Sequence, residues 1–386
     1  MAFGIYVHIP YCKQICTYCD FAKYEHTKIM PPTEYVKLIK KEISDRALAV
    51  GPREVDTLYF GGGTPSLFDP SLIVAIKDHL ANEGFGTRKS TEISIEIDPG
   101  TADQKKIEGY LEGGLTRFSV GAQTFHDHLL KGAGRKHSPA DTLEMLTILK
   151  KLKVNYSFDL LFGLPKQSLD DVRTDVHQAL EYNPSHLSAY CLTVPEKHPM
   201  NIGRAPDEDQ VEMFDVIEDG LRTAGILRYE ISNFAKPGAE SKHNMLYWTD
   251  EEYWGVGVSS HSFLKRGEFG TRFWNPPSLN AHVKQVTSGE IKLPGEQVEE
   301  LALNQALTDF CHTSLRLTRG MGENALRLKF GNNVAEKVIS LLGEIEKSQH
   351  LEKVASSGEN FWRITPAGRV LANVVFEKLT FLKGDV

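Results

Sequence analysis

The run Tyr6-Val7-His8-Ile9-Pro10-Tyr11-Cys12-Lys13-Gln14-Ile15-Cys16-Thr17-Tyr18-Cys19-Asp20-Phe21 decides how this chain is read. It opens on a short apolar strand, Gly4–His8, and breaks at Pro10 into a loop carrying three cysteines spaced C-x3-C-x2-C. The 386 residues contain five cysteines, too few for a disulfide scaffold. Cys191 and Cys311 stand alone and read as small buried residues. Three thiolates on one loop can hold three irons of a [4Fe–4S] cluster and leave the fourth open to a ligand. A structural zinc is the alternative, with His8 or His26 as fourth ligand. Zinc knuckles usually pair cysteines as C-x2-C, and no second pair follows here.

Downstream, short apolar runs alternate with amphipathic helical patterns. Candidate strands are Gly4–His8, Asp56–Phe60, Glu92–Ile97, Arg117–Val120, Asn155–Leu161 and His186–Leu192. Tyr35, Leu38, Ile39 and Ile43 share one helical face. Ser138 and Pro139 read as N-cap and first helical residue before Leu143, Leu146 and Leu149. Ser168, with Asp171 three residues on, precedes Val172 and Val176, and a further helix over Glu208–Ala224 ends at Gly225. Six strand-then-helix units predict an α/β fold with a parallel sheet. Six are too few for a closed eight-unit barrel, which leaves an open partial barrel or a doubly wound sheet.

The pattern changes after about residue 265. Gly267–Pro294 is rich in turn residues and reads as a connector. Beyond it the chain is mainly helical, with a hairpin of Leu351–Val354, a Ser356-Ser357-Gly358 turn and Phe361–Thr365, an arrangement resembling a winged helix. The divisions expected are 1–235, 236–295 and 296–386. Residues 290–386 hold 12 Lys/Arg against 13 Asp/Glu, and the whole chain carries a net charge of −7. A nucleic-acid reader needs a basic face, so no nucleic-acid partner is expected. The first residues lack a basic segment followed by an apolar one, and the longest stretch free of charged residues, Tyr182–Pro195, spans 14 residues. A membrane span needs about 20. A cytoplasmic location is expected, where clustered thiols serve metals or catalysis.

The motif C-x3-C-x-aromatic-C, with Tyr18 as the aromatic, resembles the signature of radical S-adenosylmethionine (SAM) enzymes. The resemblance implies a partial (β/α)6 barrel in which Cys12, Cys16 and Cys19 hold a [4Fe–4S] cluster and SAM chelates the open iron. Ligand residues in β/α barrels sit at the C-terminal strand ends. Gly61-Gly62-Gly63-Thr64-Pro65 follows the second strand, and glycines there let backbone approach a ligand. Glu96 alternates with Ile95 and Ile97 and so faces the lumen or its rim. Gln123, Arg135 and Asp159 are the polar candidates of the next strands; Arg135 can hold a carboxylate bidentately.

The runs over residues 6–165 resemble a subgroup, the oxygen-independent coproporphyrinogen III oxidase-like proteins, with Tyr11 in place of Phe. Carried over position by position, the resemblance makes Tyr6, Tyr18, Gly62, Gly63, Thr64, Glu96, Gln123, Arg135 and Asp159 SAM-site residues, with Thr193 a weaker one. The decarboxylating oxidases have a further cysteine two residues beyond the third and a longer N-terminal extension. Here that position is Phe21, and 11 residues precede Cys12. His243-Asn244-Met245-Leu246-Tyr247-Trp248 is similar to the HNxxYW motif of the HemW-type heme chaperones. That resemblance implies heme as a third cofactor, bound by His243, Tyr247 and Trp248, with Met245 as another axial candidate and Lys242 near a propionate. Without it, His243 and the Tyr-Trp pair read as core. It also implies transfer of heme to an acceptor apoprotein. It admits a homodimer and membrane contact through a partner. Oxidative decarboxylation of coproporphyrinogen III is the competing activity.

Overall fold

The computed structural model describes residues 2–289, 298–356 and 358–385. All six expected strands form: β1 (Phe3–Ile9), β2 (Val55–Gly62), β3 (Thr87–Ile97), β4 (Arg117–Gln123), β5 (Asn155–Phe162) and β6 (His186–Cys191). Each pairs in parallel with the next, from Gly4↔Thr57 to Phe162↔Cys191. The crossovers are the helices α1 (Pro32–Val50), α2 (Pro70–Asn82), α3 (Gln104–Glu112), α4 (Pro139–Leu152) and α5 (Leu169–Glu181). The polar punctuation sets where they begin. Ser138 and Ser168 each close a capping box with the aspartate three residues on, satisfying backbone donors that an α-helix otherwise leaves open.

One layer of side chains makes the core. Ile5, Val7, Phe60, Ile95, Phe118, Val120 and Phe158 point outward from the strands and are fully buried against Ile39, Ile76, Ile107 and Leu146 of the helices. The opposite strand faces carry polar groups into a lumen. Apolar outside and polar inside inverts the layering of a two-sided open sheet. The chain is therefore the partial barrel rather than the doubly wound alternative.

The sheet does not stop at six strands. After α6 (Asp207–Thr223), β7 (Leu227–Arg228) and β8 (Asn233–Ala235) add antiparallel strands beyond β6. At the other edge β9 (Glu252–Val256) runs parallel to β1, followed by antiparallel β10 (His261–Leu264), β11 (Thr271–Trp274) and β12 (Val298–Glu300). The segment read as a connector thus supplies strand β11 and helix α8 (Leu279–Thr287), whose Phe273, Leu279 and Val286 join the barrel core. Residues 290–297, including Pro294-Gly295, lie outside the described residues. The remaining chain has its own core, built by Leu307, Phe310, Leu326, Leu342 and Trp362, and joined by Phe263 of β10. It contains helix α9 (Leu303–Ser314), the long α10 (Glu323–Glu346), bent at Gly331 where φ is +76°, and the expected hairpin as β13 (Leu351–Ser356) and β14 (Glu359–Ile364). Ser357 of its turn lies outside the described residues.

Where α1 meets the added strands, Glu42, Arg46 and His282 are each 0% exposed. Arg46 Nη1 donates to Glu42 Oε1 (2.6 Å) and Asn275 Oδ1 (2.7 Å), and His282 Nε2 lies 2.8 Å from Glu42 Oε2. Gly257 N also donates to Glu42 Oε2 (3.0 Å). Burial alone would raise the Glu42 carboxyl, but Arg46, His282 and Asn275 together hold it down to about 2. A depressed carboxyl adds stability above its unfolded pKa and loses it as the pH falls through the folded one. We therefore expect acid to remove on the order of 3 kcal/mol between about pH 4.5 and pH 2 from this group. Glu42→Gln should abolish that part of the acid sensitivity. It should also cost roughly 3–5 kcal/mol at neutral pH by leaving Arg46 buried without its charge partner, as urea unfolding across pH would show.

Candidate functional site

At the C-terminal strand ends a cavity of about 400 Å3 opens into the barrel. Cys12, Cys16 and Cys19 line its rim together with Tyr18, Gly62 and Gly63. The loop is held by hydrogen bonds to its neighbours. Tyr24 N donates to Pro10 O (2.7 Å), His26 N to Cys12 O (2.9 Å) and Thr17 N to Ala133 O (3.2 Å). Gln14 Nε2 donates to Gly134 O (2.7 Å) and Lys13 Nζ to Gly100 O (2.8 Å). From below, His8 Nε2 donates to Ala22 O (2.7 Å), so its Nδ1 accepts from the Tyr6 hydroxyl (3.0 Å). Burial lowers His8 to about 4, consistent with this neutral ring.

The glycine run explains itself by space. A Cβ on Gly63 would stand 2.7 Å from Tyr11 O and 2.9 Å from Cys12 Sγ. Gly62 has φ +117°, and its N–H donates to Glu96 Oε2 (3.0 Å). Glu96 also accepts from the Tyr59 hydroxyl (3.0 Å). Burial raises Glu96 to about 7, and the charge of Asp159 adds to the effect. Asp159 is likewise raised by burial, to about 6. Arg135 Nη2 donates to Asp98 Oδ1 (2.5 Å) and to Gly121 O (2.8 Å), while Nη1 lies 3.5 Å from Cys16 Sγ. Among the described residues its buried Nε has no hydrogen-bond partner.

Of the residues expected at the SAM site, Tyr18, Gly62, Gly63, Thr64, Glu96, Gln123, Arg135, Asp159 and Thr193 all line this one cavity. Tyr6 does not. Its ring stacks between Tyr59 (6.1 Å) and His243 (6.4 Å), behind the wall. Cys191, expected to be small and buried, is exposed at the cavity's edge. Sequence reading also passed over most of the lumen. Arg117, Ser119, Ser157, His186, Ser188 and Tyr190 line it as well. The signal was present, because Arg117/Ser119, Ser157/Asp159 and His186/Ser188/Tyr190 each recur at the two-residue period of a strand.

Helix α7 (Lys242–Trp248), capped by Ser241, forms the floor of the barrel. His243 is 2% exposed. Its Nδ1 is 2.7 Å from Thr57 Oγ1 and its Nε2 is 2.9 Å from the Tyr247 hydroxyl. The ring stacks on Tyr59 at 5.1 Å, and burial lowers its pKa to about 3. This differs from the expectation of an imidazole facing heme iron: both ring nitrogens are occupied, and the ring is a neutral part of the floor. Ser241 and Asn244 reach the cavity, whereas Tyr247 packs edge-on against Tyr253 (4.7 Å). Trp248 turns away toward the C-terminal unit, with Arg316 above its ring at 4.8 Å.

The pattern of the radical SAM superfamily matches residues 6–179. The heme chaperone HemW of Bacillus subtilis (strain 168) is 30% identical over 379 residues, covering 96% of this chain and 97% of its own. The chain belongs to the HemW family. The heme chaperone HemW of Escherichia coli (strain K12) is 35% identical over 265 residues, covering 67% of this chain and 69% of its own. Among solved structures, coproporphyrinogen III oxidase (HemN) from Escherichia coli superposes with a TM-score of 0.82 at 21% identity, covering 98% of this chain and 90% of that one. That likeness extends the shared fold through the C-terminal unit.

Membership in the radical SAM superfamily implies a [4Fe–4S] cluster and SAM. The residues present fit both. Three thiols face one cavity beside a glycine cradle that a Cβ would fill. Two half-buried carboxyls, Glu96 and Asp159, neither ion-paired among the described residues, suit a ligand carrying an amine and a sulfonium cation. When bound, such a cluster leaves one iron for SAM to chelate and can supply it one electron. Around it, this chain's own groups would orient the ligand: the Gly62–Thr64 backbone, the Glu96 carboxylate and Arg135. Gly63→Ala should reduce the iron and sulfide retained after anaerobic reconstitution to a small fraction of the parent's. Glu96→Gln should keep the cluster and weaken SAM binding by about tenfold in calorimetry, the size of one charge-assisted hydrogen bond.

Proposed function

We propose that this chain is a heme chaperone, which binds heme and passes it to an acceptor apoprotein. The observation that carries the reading is the end-to-end relationship to HemW of Bacillus subtilis, over 96% of this chain. In this reading Cys12, Cys16 and Cys19 hold the cluster. Tyr18, Gly62, Gly63, Thr64, Glu96, Gln123, Arg135 and Asp159 hold SAM, and Tyr6 braces the loop through His8. Phe21 supports the reading. It stands where the decarboxylating oxidases carry their additional cysteine and is 63% exposed at the cavity mouth. An exposed phenylalanine beside the cofactor loop suits contact with another protein better than a further ligand.

Among the described residues no helix is long and apolar enough to cross a membrane. The decarboxylase reading draws on the shared fold with HemN, a likeness at 21% identity that speaks to architecture alone.

The two readings part in one experiment. The chain is reconstituted anaerobically, and heme titration is run beside an assay of coproporphyrinogen III with SAM and a reductant. The chaperone reading expects stoichiometric heme uptake, transfer to an apoprotein and no vinyl product. Steady decarboxylation over many turnovers would sink it. His243→Ala separates a further point. The floor geometry predicts reduced stability with heme affinity changed less than about threefold, whereas iron ligation by His243 predicts an altered heme spectrum.

A further inference from the structure

A second cavity, about 770 Å3 in volume, lies outside the barrel between its edge and the C-terminal unit. Its volume falls in the upper part of the range for small-molecule sites. One wall is the outer face of β5 and β6, at Phe162 and Ala189. The next is α6, at Val211 and Phe214. Ile231 precedes β8, and the far side is Leu315, Leu317 and Ile364. About half of the lining residues are apolar, and two aromatic rings stand in it, Phe162 and Phe214 at 6.0 Å; four carboxylates, Asp207, Asp215, Glu218 and Glu352, line it as well.

Four guanidinium groups reach the same cavity, from Arg228, Arg316, Arg363 and Arg369. Three are spoken for. Arg228 Nε donates to Glu218 Oε1 (3.1 Å), Arg369 donates to the other oxygen of Glu218, and Arg363 Nε donates to Glu352 Oε1 (2.7 Å). Arg316 is different. Among the described residues its guanidinium makes no hydrogen bond and no ion pair, although it lies within electrostatic reach of the buried Glu230 carboxylate, and its Nε is buried without a partner. Arg369 Nε is buried without a partner too. A half-buried guanidinium with no acceptor is costly unless a ligand supplies the carboxylate. What holds Arg316 in place is Trp248, whose ring lies 4.8 Å beneath it. The last residue of the floor helix therefore acts on this cavity while His243, five positions earlier, is sealed in the barrel.

We propose that this cleft is where heme sits, its macrocycle packed on Phe162, Phe214 and Ile231 and one propionate taken by Arg316. The inference rests on the heme-chaperone reading and adds the place of binding. Arg316 supplies a planar pair of donors matched to a carboxylate. Trp248 is a positioning residue that works through Arg316. A cleft with one wall on the barrel and the other on a separately packed unit can release its ligand by a small change between the two, which is what handover requires.

The test uses the full, reconstituted chain and hemin, followed by absorbance. Arg316→Gln is expected to raise the dissociation constant by about tenfold or more, the worth of a charge-assisted hydrogen bond. Trp248→Ala should do the same and Trp248→Phe should restore binding, which loss of folding alone would not produce. Metal-free protoporphyrin IX should bind, followed by fluorescence, and its dimethyl ester should bind more weakly by a similar factor. If hemin binds the parent but neither Arg316→Gln nor esterification matters, the cleft is overturned and the chaperone reading stands. If hemin does not bind the parent at all, the chaperone reading fails and takes the cleft with it.

Discussion

A β-strand sends successive side chains to opposite faces, and every part of this molecule answers to that alternation. Parallel strands joined by helices must bury their outer face, so Ile5, Phe60, Ile95, Phe118 and Phe158 go outward under the helices. The inner face then takes what is left. Glu96, Arg117, Asp159, His186 and Tyr190 stand in the lumen because their neighbours in sequence are needed for the core. Polar groups so placed are expensive and must find partners. Glu96 accepts from Tyr59 and from the backbone of the glycine run, His186 Nε2 lies 2.9 Å from the Tyr229 hydroxyl, Arg117 Nη1 donates to Ala239 O (3.3 Å), and Glu92 Oε1 accepts from the His243 N–H of the floor helix (3.1 Å).

That constraint explains what could be read from the sequence. The six strands and their helices were legible because apolar period and caps are local properties. Ser138 and Ser168 mark helix starts whatever lies elsewhere in the chain. Cys12, Cys16, Cys19, Gly62 and Gly63 were legible as a site because spacing within a short loop fixes geometry. Strand β3 begins five residues before its expected start, since Thr87, Arg88, Lys89 and Ser90 are exposed and carry no apolar signal. The strands added at the edge hid for another reason. β9 pairs with β1 from about 250 residues away (Phe3↔Glu252), and its neighbours are short and rich in turn residues. Nothing local announces such a pairing.

The direction of His243 was the hardest point. A motif names residues but not the face of the helix they occupy. Here the Ser241 cap and the contacts of Leu246, which lies close against Gly4, roll α7 so that His243 points into the barrel and Trp248 away from it. One helix of seven residues thus reaches two environments, a sealed aromatic stack and an open cleft. The separation matters chemically, because a ring whose two nitrogens are occupied is part of the scaffold, and a ring beneath an unsatisfied guanidinium is not.

Cys191 lines both cavities: one side of it belongs to the mouth of the barrel, the other to the cleft behind. With SAM in the barrel and heme in the cleft, as proposed, a shared wall would join the two binding equilibria. A ligand in the barrel that displaced the end of β6 would then also move the cleft wall at Cys191. Linkage then requires the effect to be equal in the opposite direction. Cargo and cofactor would report on each other's presence without ever touching.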